Sequence, residues 1–260
     1  MNVGDLSRAM EEIAPVRFAA SWDNVGLIAG DPASPLTRVL LTIDCTAEVL
    51  AEARRERVDA VVSYHPPVFA AQKSFLAGSI AFEAARAGIA IHSPHTALDV
   101  AEGGTNDVLG DALSMTDRGP LREVEARDER ATRRGYGRVG TIQRASVATL
   151  VERVKRALSI EHVLVAGPVA REVERVAVCA GSGGDLLPEA IASGAQLFLT
   201  GELRHHDALR GAAAGLTLVC ALHSASERVA LAVLERRLAT YLPGVWIGRS
   251  SADREPFAFV

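Results

Sequence analysis

Cysteine is scarce in this chain: three in 260 residues, at positions 45, 179 and 220, odd in number and widely spaced. No Cys-x-x-Cys pair is present, which argues against thiolate-bound zinc or iron–sulfur chemistry, fits a reducing compartment, and leaves the three as core thiols. Basic residues are not in excess either. Lys+Arg number 28 against 32 Asp+Glu, for a net charge of −4, so there is no footprint that would draw the whole surface to a nucleic-acid backbone. Nucleic acid is therefore disfavoured as a partner. No stretch approaches the roughly 18 continuous apolar residues of a membrane span, and the N-terminus carries acids where a secretory signal would be basic and then apolar. The expectation is a cytoplasmic protein with no membrane partner. What remains is an ordinary globular composition, 48% hydrophobic and 23% charged, with length for one large or two small domains.

Hydrophobic periodicity then supplies the organisation. Leu6, Met10 and Ile13 recur at helical spacing and stop at Pro15. Residues 38–44 read as a buried strand, 47–57 as a helix, 59–63 as a strand, 79–87 as a helix and 89–92 as a strand. Residues 116–138 are dense in both charge signs and poor in apolar residues, marking a domain boundary. Beyond it Val147, Leu150, Val151, Val154 and Leu158 form the stripe of a one-face-buried helix with Ser146 as its cap. Strands at 175–180, 196–200 and 217–221 then alternate with helices at 187–193, 206–214 and 226–242, and 245–248 adds an edge strand. The predicted fold class is α/β: two similar βαβ-type domains, 1–125 and 126–260, with mainly parallel sheets flanked by helices.

The halves also repeat. The segment from Arg38 to His65 lies over that from Arg175 to Glu202 without a gap, strand on strand and helix on helix. Continued with one residue of slack, the match places His95 on His223 and Asp99 on Glu227, so that each half carries His-x-x-x-acid after a strand. A pseudo-twofold is expected, with the site in the cleft between domains.

Six of the seven histidines (His65, His92, His95, His205, His206 and His223) fall at or just beyond the end of a predicted strand. In open α/β sheets ligands bind at those carboxyl ends. His223 and Glu227, four apart on a helix, can reach one cation, as can His95 and Asp99; His65 lies in Ser63-Tyr-His-Pro-Pro67. Taken singly, each is as well explained by a capped helix, a hydrogen-bonded core histidine or a proline-ended strand. Convergence of all three at one sheet edge favours a metal site. Imidazole and carboxylate without thiolate suit Zn, Mn, Fe, Co or Ni. The loop Gly181-Ser-Gly-Gly-Asp185 reads equally as a tight turn or an anion nest, and Glu202, His205 and His206 as helix-start polarity or as supporting groups.

SWDNVGL (21–27), SYHPPVF (63–69), SPHTALD (93–99), GSGGD (181–185), TGELRHHD (200–207) and HSASER (223–228) together resemble the NGG-one-interacting-factor-three-like proteins, also labelled GTP cyclohydrolase 1 type 2 homologues or dinuclear-metal-centre hexameric proteins. The likeness runs in order from about Leu6 to the C-terminus. It implies two similar α/β domains with a two-metal site between them, in a toroidal homo-hexamer. It also implies His65, Asp99, His223 and Glu227 as ligands, one carboxylate bridging two divalent ions per chain. Tyr64 stands where bacterial members often have a second histidine, and a neutral phenol is a poor ligand near pH 7. The expected activity is metal-dependent hydrolysis of a nucleotide or other phosphorylated or heterocyclic small molecule. His95 would orient the ligand or shuttle a proton, and Glu202 would act as base. The alternative is a non-catalytic metal-binding hexameric scaffold or regulatory partner.

Overall fold

The computed structural model describes residues 1–124 and 134–260, so the expected domain boundary at 125/126 lies outside the described residues. The chain forms two compact units, one of Met1–Leu98 with Leu231–Val260 and the other of Asp99–Ala230. Hydrogen bonding explains the grouping. Trp246–Arg249 pairs in parallel with Arg38–Thr42 in the first unit, and Thr116–Gly119 pairs antiparallel with Arg138–Ser146 in the second.

The first unit is built on a five-stranded sheet in the order Gly26–Ala29, Ala90–Ser93, Ala60–Ser63, Arg38–Thr42, Trp246–Arg249. Only Gly26–Ala29, absent from the sequence reading, runs antiparallel. The central strands are apolar along their whole length because both faces are covered: all four residues of Ala60–Ser63 are buried. The helix Ala47–Arg55 starts where the Thr46 hydroxyl accepts from the Val49 amide at 3.3 Å, and it packs Val49 and Leu50 on Leu40, Val61 and Ile91.

In the second unit six strands follow the order Thr116–Gly119, Arg138–Ser146, Glu172–Ser182, Leu197–Glu202, Thr217–Cys220, Leu164–Ala166. The three beginning at Glu172, Leu197 and Thr217 are mutually parallel, and the others pair antiparallel. Part of the charge-dense 116–138 stretch is therefore ordered strand. Its apolar signal is weak because Thr116–Gly119 has no buried residue and Arg138–Ser146 buries only alternate residues. Helix Val147–Leu158 is capped as expected, with the Thr149 amide donating to Ser146 Oγ at 3.2 Å and Val147, Leu150, Val151 and Val154 buried.

The sequence repeat holds at the level of register. In the first unit Val39 pairs with Ala60 and Ala60 with Ala90; their repeat mates in the second, Val176, Leu197 and Thr217, pair in the same sequence.

His92 belongs to the core and not to a strand end. It lies inside Ala90–Ser93, is 4% exposed, and its Nδ1 has no hydrogen-bond partner. Burial lowers its pKa to about 4 from an ordinary 6.5. Between those values the unfolded chain binds the proton and the folded chain does not. Stability is therefore intact above pH 6.5 and falls as pH drops through the window, by about 3 kcal/mol at its foot. Urea denaturation at pH 7 and pH 4.5 should show this loss in the wild type and a smaller one in His92→Leu; equal losses would assign the acid sensitivity elsewhere.

Candidate metal centre

The site residues sit where strands end. His65 follows Ala60–Ser63 by two positions, and its amide donates to the Ile43 carbonyl at 2.9 Å, which fixes the turn at the sheet edge. Its Nδ1 lies 2.9 Å from Asp44 Oδ1. A carboxylate only accepts, so Nδ1 carries a proton there, which fixes the ring's orientation. His223 opens the helix His223–Tyr241, its Nδ1 3.1 Å from Glu202 Oε1. One turn on, Glu227 is 4% exposed and its Oε1 lies 3.1 Å from His223 Nε2. Hydrogen bonding to Glu227 is the largest influence on His223. Together with the charges of Glu227 and Glu202 it outweighs burial and raises the imidazole pKa to about 9.

Within the second unit His223 and Glu227 thus set an imidazole and a carboxylate side by side, and within the first unit His65 offers a further imidazole. Imidazole and carboxylate, the imidazole held through Nδ1 by a further carboxylate, are donor types suited to a borderline divalent cation. The backbone leaves room for it. Gly181 has φ +65°, and a Cβ there would stand 2.6 Å from Glu227 Oε1 and 3.3 Å from His223 Nε2. The Gly181 amide donates to Ser226 Oγ at 2.8 Å, Ser226 Oγ donates to the His223 carbonyl at 2.7 Å, and the Gly183 amide donates to the Glu202 carbonyl. Two amides of the glycine loop are thus engaged within the protein, bracing the loop against His223 and Glu202.

Of the other expected residues, Asp99 is half-buried in the helix His95–Val100. Its carbonyl accepts from Asn106 Nδ2 at 3.0 Å, while Asn106 Oδ1 accepts from the Ala180 amide at 2.9 Å, tying the Asp99 segment to the strand that leads into Gly181. Burial first, then the charges of Asp99 and Glu227, push the Cys179 thiol up, so it stays protonated. Cys45 and Cys220 are likewise free thiols, raised by burial to about 12 and about 11. His95 packs edge-on against His65, ring centroids 5.3 Å apart, with Nδ1 2.8 Å from Asp23 Oδ1. Both His95 (φ +27°) and Leu222 (φ +69°), just before His223, adopt backbone angles that side chains seldom take, a strain that collects at functional sites. His205 and His206 are exposed.

Sequence reasoning missed Asp44, Asp23 and Asn106. Asp44 carried a signal, an acid just past a strand end, and Asp23 lay within the quoted SWDNVGL motif. Asn106 had none, since its partner Ala180 is 74 residues away.

A cavity of about 810 Å³ in the first unit reaches His65 and is lined also by Asp44, Thr46, Glu48, Pro66 and Arg254. Its size is that of a small-molecule pocket.

These features define a two-unit α/β protein with a candidate imidazole–carboxylate metal site. The chain belongs to the Duf34/NIF3 (NGG1p interacting factor 3) family, whose sequence profile matches residues 1–256. It is 30% identical over 264 residues to a GTP cyclohydrolase 1 type 2 homolog of Lactococcus lactis, covering 99% of both chains. It is 34% identical over 236 residues to the protein NIF3 homolog of Schizosaccharomyces pombe, covering 86% of this chain and 84% of that one. The fold matches a Bacillus cereus protein related to NIF3 with a TM-score of 0.92 at 20% identity, over 100% of this chain and 99% of the other. Among the described residues no helix is long and apolar enough to cross a membrane.

Proposed function

We propose that this protein is a divalent-metal-dependent hydrolase of a nucleotide or another phosphorylated or heterocyclic small molecule. The observation that carries the reading is the pairing of His223 with Glu227, Nε2 and Oε1 3.1 Å apart, with His223 Nδ1 held by Glu202; His65 supplies a further imidazole in this reading. Asp99, on the helix that also bears His95, supplies the further carboxylate of a two-metal centre in this reading. Bound by these residues, a divalent ion would supply Lewis-acid activation of water and of the electrophile.

The chain's own groups do the rest. Asp44 and Glu202 orient the two imidazoles through Nδ1. His95, anchored through Nδ1 by Asp23, presents Nε2 for moving a proton, and Glu202, more than half exposed, is the candidate base. The cavity beside His65 admits the substrate. A homo-hexamer in the cytoplasm completes the proposal, with sedimentation velocity as the check on assembly.

Metal content by inductively coupled plasma mass spectrometry, on protein purified without a histidine tag, tests the centre: about two equivalents per chain are expected, falling in Asp99→Ala. A nucleotide and phosphoester screen should then find turnover that Glu202→Gln loses while keeping its metal. Full metal occupancy without turnover on any member of the screen would favour a non-catalytic scaffold instead.

A further inference from the structure

The chain is poor in aromatic residues, 5% of the total, yet two of its largest rings stand in solvent beside His95: Trp22 is 61% exposed and Phe69 is 56% exposed. Their centroids are 5.7 Å apart with the planes tilted by 46°, and each ring meets His95 edge-on, at 6.1 Å for Trp22 and 6.2 Å for Phe69. Exposed apolar rings scattered singly need no explanation, but this pair is held in place by a buried polar frame. The Asp23 side chain is fully buried. It accepts from His95 Nδ1 at 2.8 Å, from the Thr96 amide at 3.1 Å and from the Thr96 hydroxyl at 2.5 Å. Thr96 Oγ1 in turn accepts from the Ala20 amide at 3.0 Å, and Asn24 Nδ2 donates to the Val68 carbonyl at 2.6 Å. The residues on either side of Trp22 are thus tied to the start of the His95 helix, and the residue before Phe69 is tied to Asn24.

Such a frame fixes two rings against an imidazole while leaving most of their surface to water. A platform built in advance binds a rigid planar partner with little ordering cost. Aromatic faces stack with nitrogen heterocycles, and the adjoining imidazole supplies a polar edge for ring nitrogens or exocyclic groups. Two rings are too small a patch for a protein partner, whose interface needs on the order of 800 Å² from each side.

We infer that Trp22 and Phe69 form the docking platform for a planar nitrogen heterocycle, of the size of a nucleobase, placing it against His95. The inference rests on the proposed metal-dependent activity for its purpose but not for its test.

In a Trp246→Phe background Trp22 is the one tryptophan. Its fluorescence, excited at the red edge, should be quenched saturably by guanosine or adenosine and not by ribose 5-phosphate or inorganic phosphate. Phe69→Ala should weaken the nucleoside by about tenfold. Equilibrium dialysis with radiolabelled guanosine extends the test to Trp22→Ala, with a similar or larger loss expected. Quenching by ribose 5-phosphate equal to that by nucleosides, or no saturable quenching, would overturn the platform. So would a change of sedimentation coefficient in Trp22→Ala, which would make the rings a contact between copies of the chain. Metal content measured on the same preparations separates the two ideas. Metal bound without nucleoside quenching sinks the platform alone, and nucleoside quenching on protein that takes up no metal sinks the metal centre alone.

Discussion

Glu227→Gln is expected to lower affinity for Zn or Mn by more than about 100-fold while leaving the protein folded. The substitution keeps the side chain's shape and removes its charge. Glu227 is 4% exposed, so the charge works in a poorly solvated setting where an opposing cation counts for most. The folded state gives up a contact between His223 and Glu227 at 3.1 Å, but the neutral amide also costs less to bury. Affinity and stability are therefore separable. Competition with a fluorescent chelator would measure the first and thermal unfolding of the metal-free protein the second. Unchanged affinity would remove Glu227 from the ligand set.

The same pair fixes the sign of the pH dependence. In the metal-free chain the carboxylates hold His223 protonated to about pH 9, and a metal needs the neutral ring. Each ion that binds His223 at pH 7.5 should therefore displace a proton. Apparent affinity should rise as pH increases towards 9, by up to tenfold per unit, and level off above it. Glu227→Gln removes the principal cause of the raised pKa, so the proton released at pH 7.5 should shrink with the affinity.

A second large effect is expected where no ligand is bound. Arg138→Met should destabilise the protein by about 3–5 kcal/mol, lowering the melting temperature by about 10 °C. The Arg138 guanidinium is almost wholly buried. Its Nε and Nη2 donate to the two Asp107 carboxylate oxygens at 2.7 and 3.1 Å, and Nη1 donates to the Gly135 and Gly137 carbonyls at 2.7 and 2.8 Å. Nη2 also reaches the carbonyls of Val100 and Ala101, immediately after Asp99. Methionine fills much of the volume but supplies no donor, leaving the buried carbonyls and the Asp107 charge without these bonds. Adding Asp107→Asn should recover part of the loss. A melting temperature within 2 °C of wild type would show that water replaces the guanidinium without penalty.

The history of Arg138 shows where sequence reading ends. In the sequence it closes a run of mixed charge and looks like surface; in the fold it is among the most buried side chains. Nothing local distinguishes it, because its partners at 100, 101 and 107 lie more than 30 residues away and meet it only once the strand Arg138–Ser146 has formed. The parallel strands at 38, 60, 90, 172, 197 and 217 were legible, since a strand covered on both faces must be apolar throughout. The antiparallel strands at 116 and 138 were not, since a half-covered strand needs only alternate apolar positions.

His223 and Glu227 could be read as one ligand pair from their spacing alone, because four residues make about one helical turn and the helix start is marked in the sequence. The repeat gave their counterparts in the other half, and its register follows from the matching strand patterns. By itself, then, the sequence determined the α/β alternation, the duplicated strand core, and the residue types able to bind a metal. Only the tertiary structure decided that His92 is sealed in the core, and that Asp44, Glu202 and Asp23 each hold an imidazole by Nδ1. The physical reason is range: periodicity and capping act within a few residues, whereas ligand geometry and burial depend on contacts between segments far apart in the chain.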